Sequence, residues 1–255
     1  MINHRTEIFA FEGIGGSGKS HTAELVSEQL KKQGYSVNIC KVGGLGNSPR
    51  VQTLKAIIHK QRKDILAGEA SDKQKEDALK ETVFRLAMRQ QVKLTLNTIR
   101  LEKPQIVIAD RTPLMIWVYA CSNDSSNPYL NDILYEGIKY AQLLKLNRLF
   151  FFEIRPELAY ARMIARYVYG HPKMAELVEE ACIQIGASPS ATDVIKTEVE
   201  EICSRGGIKP KAFESWDLIP LEVTKAEIRM HTKAYAIANL NYSLPVSYVD
   251  AEQPR

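Results

Sequence analysis

Apolar and polar positions along the chain alternate between two textures. Short, β-branched apolar runs recur at 7–11, 37–42, 106–109, 148–154 and 245–249; between them lie longer stretches whose apolar residues return every three or four positions. The first kind has strand length and the second has helical period, so the order reads strand, helix, strand, helix. That alternation predicts an α/β fold in three layers, a five-stranded parallel sheet with helices on both faces. In the first helical stretch Ala23, Val26 and Leu30 mark one face, and Gly34 closes it ahead of the second strand. Ser71-Asp72-Lys73-Gln74 has the form of a capping box, opening a helix with Leu79, Val83, Leu86 and Leu94 along one stripe that stops before Pro104. A further helix is expected after Pro113, bent or ended by Pro128. The run Phe150-Phe151-Phe152 reads as a strand buried on both faces.

From Gly170 to Pro210 the strand signal disappears. Two short amphipathic stretches, Met174 to Ile185 and Thr192 to Cys203, are separated by Gly186-Ala187-Ser188-Pro189-Ser190 and closed by Gly206-Gly207. These signals predict a helical insertion over 170–210, set into a core made of 1–169 and 211–255.

Chemistry enters at residues 13–20, Gly-Ile-Gly-Gly-Ser-Gly-Lys-Ser, a complete G-x-x-x-x-G-K-S loop placed between the first strand and the first helix. The context is what the motif requires. Glycines let successive backbone N–H groups turn inward around phosphate oxygens, and the following helix points its positive end at the same anion. Gly13, Gly15, Gly16, Ser17, Gly18, Lys19 and Ser20, with the adjoining His21, are therefore the candidate ATP residues. Lys19 would reach the β- and γ-phosphates, and the Ser20 hydroxyl would ligate Mg²⁺. The third strand ends in Asp110-Arg111, on the edge that faces ligand in open α/β sheets. An aspartate there can hold Mg²⁺ or take a proton, and an arginine can fork two donors onto a phosphate; a structural ion pair or cap is the alternative.

Composition narrows the classes. With 45% hydrophobic and 25% charged residues the chain is an ordinary globular protein, and a formal charge of +4 over 255 residues is too weak to argue for nucleic acid. Cys40, Cys121, Cys182 and Cys203 are scattered, which fits free thiols in a reducing compartment rather than zinc ligands. His21, His59, His171 and His231 share no metal-ligand spacing. No run approaches membrane-spanning length and Met1–Glu7 lacks an apolar core, so a cytoplasmic protein without a membrane partner is expected.

The ordered set Phe11–Ser20, Ala109-Asp110-Arg111 and Glu153–Arg166, followed by Phe213-Glu214 and the final strand Tyr248-Val249-Asp250-Ala251, resembles the corresponding segments of thymidylate kinases. The resemblance covers most of the chain in order, outside the insertion. It implies a phosphate-binding-loop kinase fold, ATP with Mg²⁺, a small-molecule phosphate acceptor and a homodimer. Carried over by position, Lys19 and Ser20 match the phosphate and magnesium residues, and Asp110 and Arg111 match the pair beside the acceptor phosphate. Arg89 falls where the family has a helix arginine facing the acceptor, and only Tyr119 keeps its place among the recognition residues. Arg162 and Arg166 lie in the helix entering the lid, where an arginine closes over the transferring phosphoryl group, Arg166 being the preferred candidate; a solvated helix face is the alternative. The family usually has an acidic or polar residue where this loop has Gly15, and Leu114-Met115-Ile116 cannot read a base edge by hydrogen bonds. These departures argue against thymidylate itself as acceptor.

The acceptor's chemistry gives a second line of reasoning. A neutral hydroxyl needs a carboxylate to take its proton, whereas a phosphate is already a nucleophile and needs cationic positioning. The segment from Lys41 to Arg50 is glycine-rich, basic and free of carboxylates; with Arg89 and Arg111 it favours a monophosphate or other anionic acceptor. Glu12 stands against this, since it can act as a base, or else serve as the buried partner of a backbone group. A kinase of a nucleoside or hydroxylated metabolite, and a nucleotide-dependent binding protein, stay open beside the leading reading.

Overall fold

The computed structural model describes residues 6–41, 73–123, 128–208, 210 and 220–252. Five strands form one sheet, β1 Glu7–Glu12, β2 Val37–Lys41, β3 Ile106–Asp110, β4 Arg148–Glu153 and β5 Val246–Asp250, in the order β2-β3-β1-β4-β5. β1 is parallel to β3, with Phe11 opposite Asp110, and to β4, with Glu12 opposite Phe151. β2 is parallel to β3, pairing Lys41 with Asp110. All five residues of β3 are buried, as expected for an apolar strand covered on both faces. Phe151 and Phe152 are buried as the sequence predicts, while Phe150 is only half-buried and packs on Phe9 and Phe11.

Eight helices lie among the described residues: α1 Lys19–Lys32, α2 Lys73–Glu102, α3 Leu114–Asn123, α4 Leu130–Leu143, α5 Pro156–Val168, α6 Met174–Gln184, α7 Pro189–Arg205 and α8 Leu221–Tyr242. Their starts follow local chemistry. Pro156 and Pro189 occupy first-turn positions where a missing N–H costs nothing, and the Ser188 hydroxyl caps α7 by accepting from Ala191 N–H at 3.3 Å. α1 turns inward the residues Lys19, Ala23 and Ser27, with Val26 and Leu30 half-buried, so its buried face is rotated from the one the apolar pattern marks. In α2 the buried side is Val83, Phe84, Met88, Val92 and Thr95; Leu86 is half-buried, and the side chains of Leu79 and Leu94 and the Ser71-Asp72 cap lie outside the described residues.

By packing, the chain divides into two units: 1–12, 19–151 and 230–247 form one, and 13–18, 152–229 and 248–255 form the other. In the first, Ile8, Ala10, Val107, Ala109, Leu149 and Phe151 of the sheet pack with Val92, Leu114, Ile138, Tyr235 and Ala238 of the helices. Phe84, Met88, Met115, Trp117 and Ile133 extend that apolar packing. The second unit is largely helical. Tyr160, Ile164 and Val168 of α5 pack with Val178 and Cys182 of α6 and with Ile195 and Val199 of α7. α6 and α7 occupy the stretch in which the sequence predicts two helices. The C-terminal end of this unit is clasped: Glu252 accepts from Arg155 backbone N–H and from its Nε, each at 2.8 Å, and Ala251 N–H donates to Glu153 O at 2.9 Å.

Candidate functional site

The first strand delivers the chain into the glycine-rich loop at its C-terminal end. Gly16 has φ +78 and Gly18 φ +81, a region that side chains rarely enter. A Cβ on Gly16 would also stand 2.2 Å from the Ala159 carbonyl oxygen of α5, and one on Gly15 3.1 Å from Met163 Sδ. The loop therefore lies directly on the α5 face carrying Ala159 and Met163. Arg162 and Arg166 follow these two residues at three-residue spacing, so the same side of the helix carries them; Arg162 is half-buried and Arg166 exposed.

Lys19 opens α1 and is 5% exposed; Ser20 beside it is half-buried and His21 exposed. No acidic residue of α1 itself occupies its first turn; the carboxylate at its positive end comes from β3. The Ser20 hydroxyl donates to Asp110 Oδ2 at 2.6 Å, joining the start of α1 to the end of β3. Asp110 is 8% exposed, and its other oxygen, Oδ1, is buried without a hydrogen-bond partner among the described residues.

One residue further on, the backbone is forced. Arg111 has φ +89, which costs a side-chain-bearing residue on the order of 1–3 kcal/mol and persists only where surrounding contacts hold it. Two of those contacts are visible. Arg111 N–H donates to Phe11 O at 3.0 Å, and Thr112 N–H donates to Glu12 Oε1. Glu12 is fully buried, and burial drives its carboxyl up to about 7; the Thr112 hydrogen bond and the nearby Arg111 and Lys19 cations pull the other way.

A buried pair on α8 faces the same carboxyl. The Tyr235 phenol is pushed well above its ordinary value, first by burial and then by the charge of Glu12, with which its hydroxyl interacts. His231, one turn earlier, places Nδ1 3.1 Å from the Tyr235 hydroxyl. Burial, Arg111 and Lys19 drive the imidazole down to about 3, so it is neutral at any ordinary pH. Neither residue is a candidate from the sequence. The available signal was a histidine and a tyrosine four apart beside Ala234 and Ala238, on a buried side of α8 that also carries Thr224 and Glu227.

The remaining candidates are placed less directly. Arg89 is exposed on α2 and turned to α4, its Nε donating to Tyr140 Oη at 3.0 Å and its Nη2 lying 3.8 Å from Glu136 Oε1. Arg85, not foreseen, pairs with Glu81 at 2.6 Å and with Glu136. Lys41 ends β2 and Tyr119 lies in α3, but their side chains are outside the described residues, as is Arg50 altogether. Trp117 is core, 4% exposed. No group of three or more histidine, cysteine or carboxylate residues suited to a metal ion occurs among the described residues, and no described helix is long and apolar enough to cross a membrane.

No protein-family model matches the chain, and a search of curated proteins finds no match. Among solved structures the chain is similar to a deoxyadenosine kinase from M. mycoides with bound dATP, at 18% identity over 97% of this chain and 92% of that one, with a TM-score of 0.44. The fold assignment stands on this chain's own strand order, its parallel registers, and a G-x-x-x-x-G-K-S loop joining β1 to α1.

Proposed function

We propose that this chain is an ATP-dependent phosphotransferase, moving the γ-phosphoryl group to a small acceptor held at the C-terminal edge of the sheet. The observation that carries the reading is the 2.6 Å bond from Ser20 to Asp110, which ties the loop's hydroxyl to a buried carboxylate with one oxygen unpartnered among the described residues. That donor set, a hydroxyl and a carboxylate beside a triphosphate loop, suits Mg²⁺, which when bound neutralises charge on the β- and γ-phosphates. Lys19 adds a fixed cation at the start of α1, and the loop amides and helix end contribute partial positive charge. Arg162 and Arg166, on the α5 side that carries the loop, are suited to balance charge developing on the transferred group. Arg111 orients the acceptor, its strained backbone setting the direction of the guanidinium. The homodimer implied by the thymidylate kinase resemblance, and the cytoplasmic setting expected from the sequence pattern, belong to this same reading.

Two acceptor classes compete. Arg111 and Arg89, with Lys41 and Arg50, favour a nucleoside monophosphate or similar anion. The second reading, a hydroxyl acceptor such as a nucleoside, is favoured by Glu12, whose carboxyl near 7 is matched to proton abstraction at working pH. An ADP-release assay over nucleosides, nucleoside monophosphates and small hydroxylated metabolites decides between them. Transfer to a monophosphate that survives Glu12→Gln supports the anion; transfer to a hydroxyl that rises with pH through about 7 and is lost in Glu12→Gln supports the base. Lys19→Ala should lower kcat at least about a hundredfold in either case while the fold survives, and wild-type turnover in that variant would remove the assignment.

A further inference from the structure

The phosphotransferase reading uses the end of β1, the loop, α1 and the end of β3. It leaves unexplained why a helix from the last part of the chain brings a histidine and a tyrosine into the apolar interior behind that edge. Both side chains are fully buried, each 0% exposed. Their rings stack 5.5 Å apart, and Phe151 of β4 packs against both, at 5.1 Å from Tyr235 and 5.5 Å from His231. A polar pair enclosed by aromatic and aliphatic side chains is costly unless its hydrogen bonds are directed.

Here the donors and acceptors can be counted. Glu12 is acceptor-only when ionised, and only its Oε1 is committed, to Thr112 N–H. Tyr235 has a single O–H, which can go to Glu12 or to His231 but not to both. The neutral imidazole has a single N–H, and Nε2 has no hydrogen-bond partner among the described residues. A proton on Nε2 would leave a buried donor unsatisfied; a proton on Nδ1 satisfies the donor and leaves only a bare lone pair, the lesser loss.

We propose that His231 and Tyr235 are positioning residues: His231 Nδ1–H donates to the Tyr235 oxygen, Tyr235 O–H donates to Glu12, and Glu12, held in that rotamer, grips Thr112 N–H and keeps Arg111 in its left-handed backbone conformation. The chain of bonds runs from α8 through the end of β1 to the turn after β3. Burial raises the Glu12 carboxyl, and Lys19 and Arg111 are the cations that oppose it; the ionised form is the one that accepts two donors. The relay touches no reacting atom; it acts through Glu12 on the aim of Arg111. This rests on the proposed role of Arg111 only where acceptor kinetics are concerned, because the hydrogen-bond directions can be measured without turnover.

Ring nitrogen shifts of His231 in ¹⁵N-labelled protein report the tautomer. The Nδ1–H form is expected, and an Nε2–H form overturns the relay. Tyr235→Phe keeps the ring and removes the donor, so Thr112 amide hydrogen exchange should quicken by about tenfold or more. Exchange matching the wild type overturns the proposal. His231→Asn, which presents an amide donor near the Nδ1 position, should restore slow exchange at Thr112, and His231→Leu should not; equal exchange in the two variants also overturns it. With an accepted acceptor in hand, Tyr235→Phe should raise the acceptor KM by about tenfold and leave the KM for ATP unchanged. Should no acceptor be phosphorylated at all, the phosphotransferase reading fails, while the tautomer and exchange measurements still decide the relay.

Discussion

Glu12 is the residue on which most of the local chemistry converges, and its protonation has a consequence for stability. Its carboxyl is raised from 4.5 to about 7 in the folded chain, so folding takes up a proton wherever the unfolded carboxyl has lost one. The sign follows directly. Below about pH 4.5 both states hold the proton and Glu12 costs nothing; between there and about 7 the native state binds more protons, and stability falls as pH rises, levelling off above 7. The loss on that interval is on the order of 3 kcal/mol. His231 works in the opposite sense, since an imidazole held down near 3 stabilises the fold above about 6.5 and loses that contribution as pH falls. Comparing wild type with Glu12→Gln in urea unfolding at pH 5 and pH 8 cancels His231, which both proteins keep. Wild type should lose stability relative to the glutamine variant by about 3 kcal/mol between those conditions. A pH-independent difference would mean that burial does not raise this carboxyl.

The glycine-rich segment and α5 form the element whose geometry is most demanding. Gly16→Ala meets two obstacles together, a positive φ and a backbone carbonyl 2.2 Å from the new methyl group. Gly186, at the end of α6, has φ +67 with nothing within 4 Å, so Gly186→Ala meets only the first. The second substitution should cost about 1 kcal/mol and leave nucleotide affinity intact; the first should abolish Mg²⁺-ATP binding in calorimetry, because the loop cannot keep its path against Ala159. Equal affinities would show that the close approach of loop to helix is not needed for binding.

This is also the scale at which the sequence was most legible. Five apolar runs became the five strands; the argument is cleanest for β3, which is buried throughout and so continuously apolar, whereas β5 is half-buried to exposed and was marked by its length and β-branched residues. The positions of the loop between β1 and α1 and of Asp110-Arg111 at the end of β3 were legible because the motif calls for its residue types in a fixed order between a strand and a helix. Helix orientation was less so: the inward face of α1 is led by Lys19, a residue placed by its loop and not by hydropathy. Thr112 and Tyr235 could not be assigned, since they meet Glu12 from about a hundred residues or more away in the chain; the four-residue spacing of His231 and Tyr235 is local, but it does not say that the pair reaches Glu12. Nor does local pattern predict that Arg89 leans on Glu136 and Tyr140.

At the scale of the whole molecule, charge and site make different demands of a polyanion. The chain carries a formal +4 and a pI of about 8.7, so weak adsorption of any polyphosphate to its surface is expected at low salt. Such adsorption is screened within about 8 Å at physiological ionic strength and does not depend on Mg²⁺ in a stabilising sense. Binding of the proposed kind is different: it would depend on the residues of the glycine-rich motif, Lys19 and the Ser20–Asp110 pair among them, and would exist only in the folded chain. A ligand of this sort at about a thousand times its Kd stabilises by about 4 kcal/mol, which for a chain of this length moves Tm by roughly 8–16 °C. Mg²⁺-ATP should therefore produce a rise of that size that survives added salt, grows with the logarithm of ligand concentration and is largely lost in Lys19→Ala. Inorganic tripolyphosphate without Mg²⁺ should give a small rise that salt erases. If the two ligands shift Tm alike and salt removes both shifts, the polyanion is held by the basic surface, and the glycine-rich loop has no claim on it.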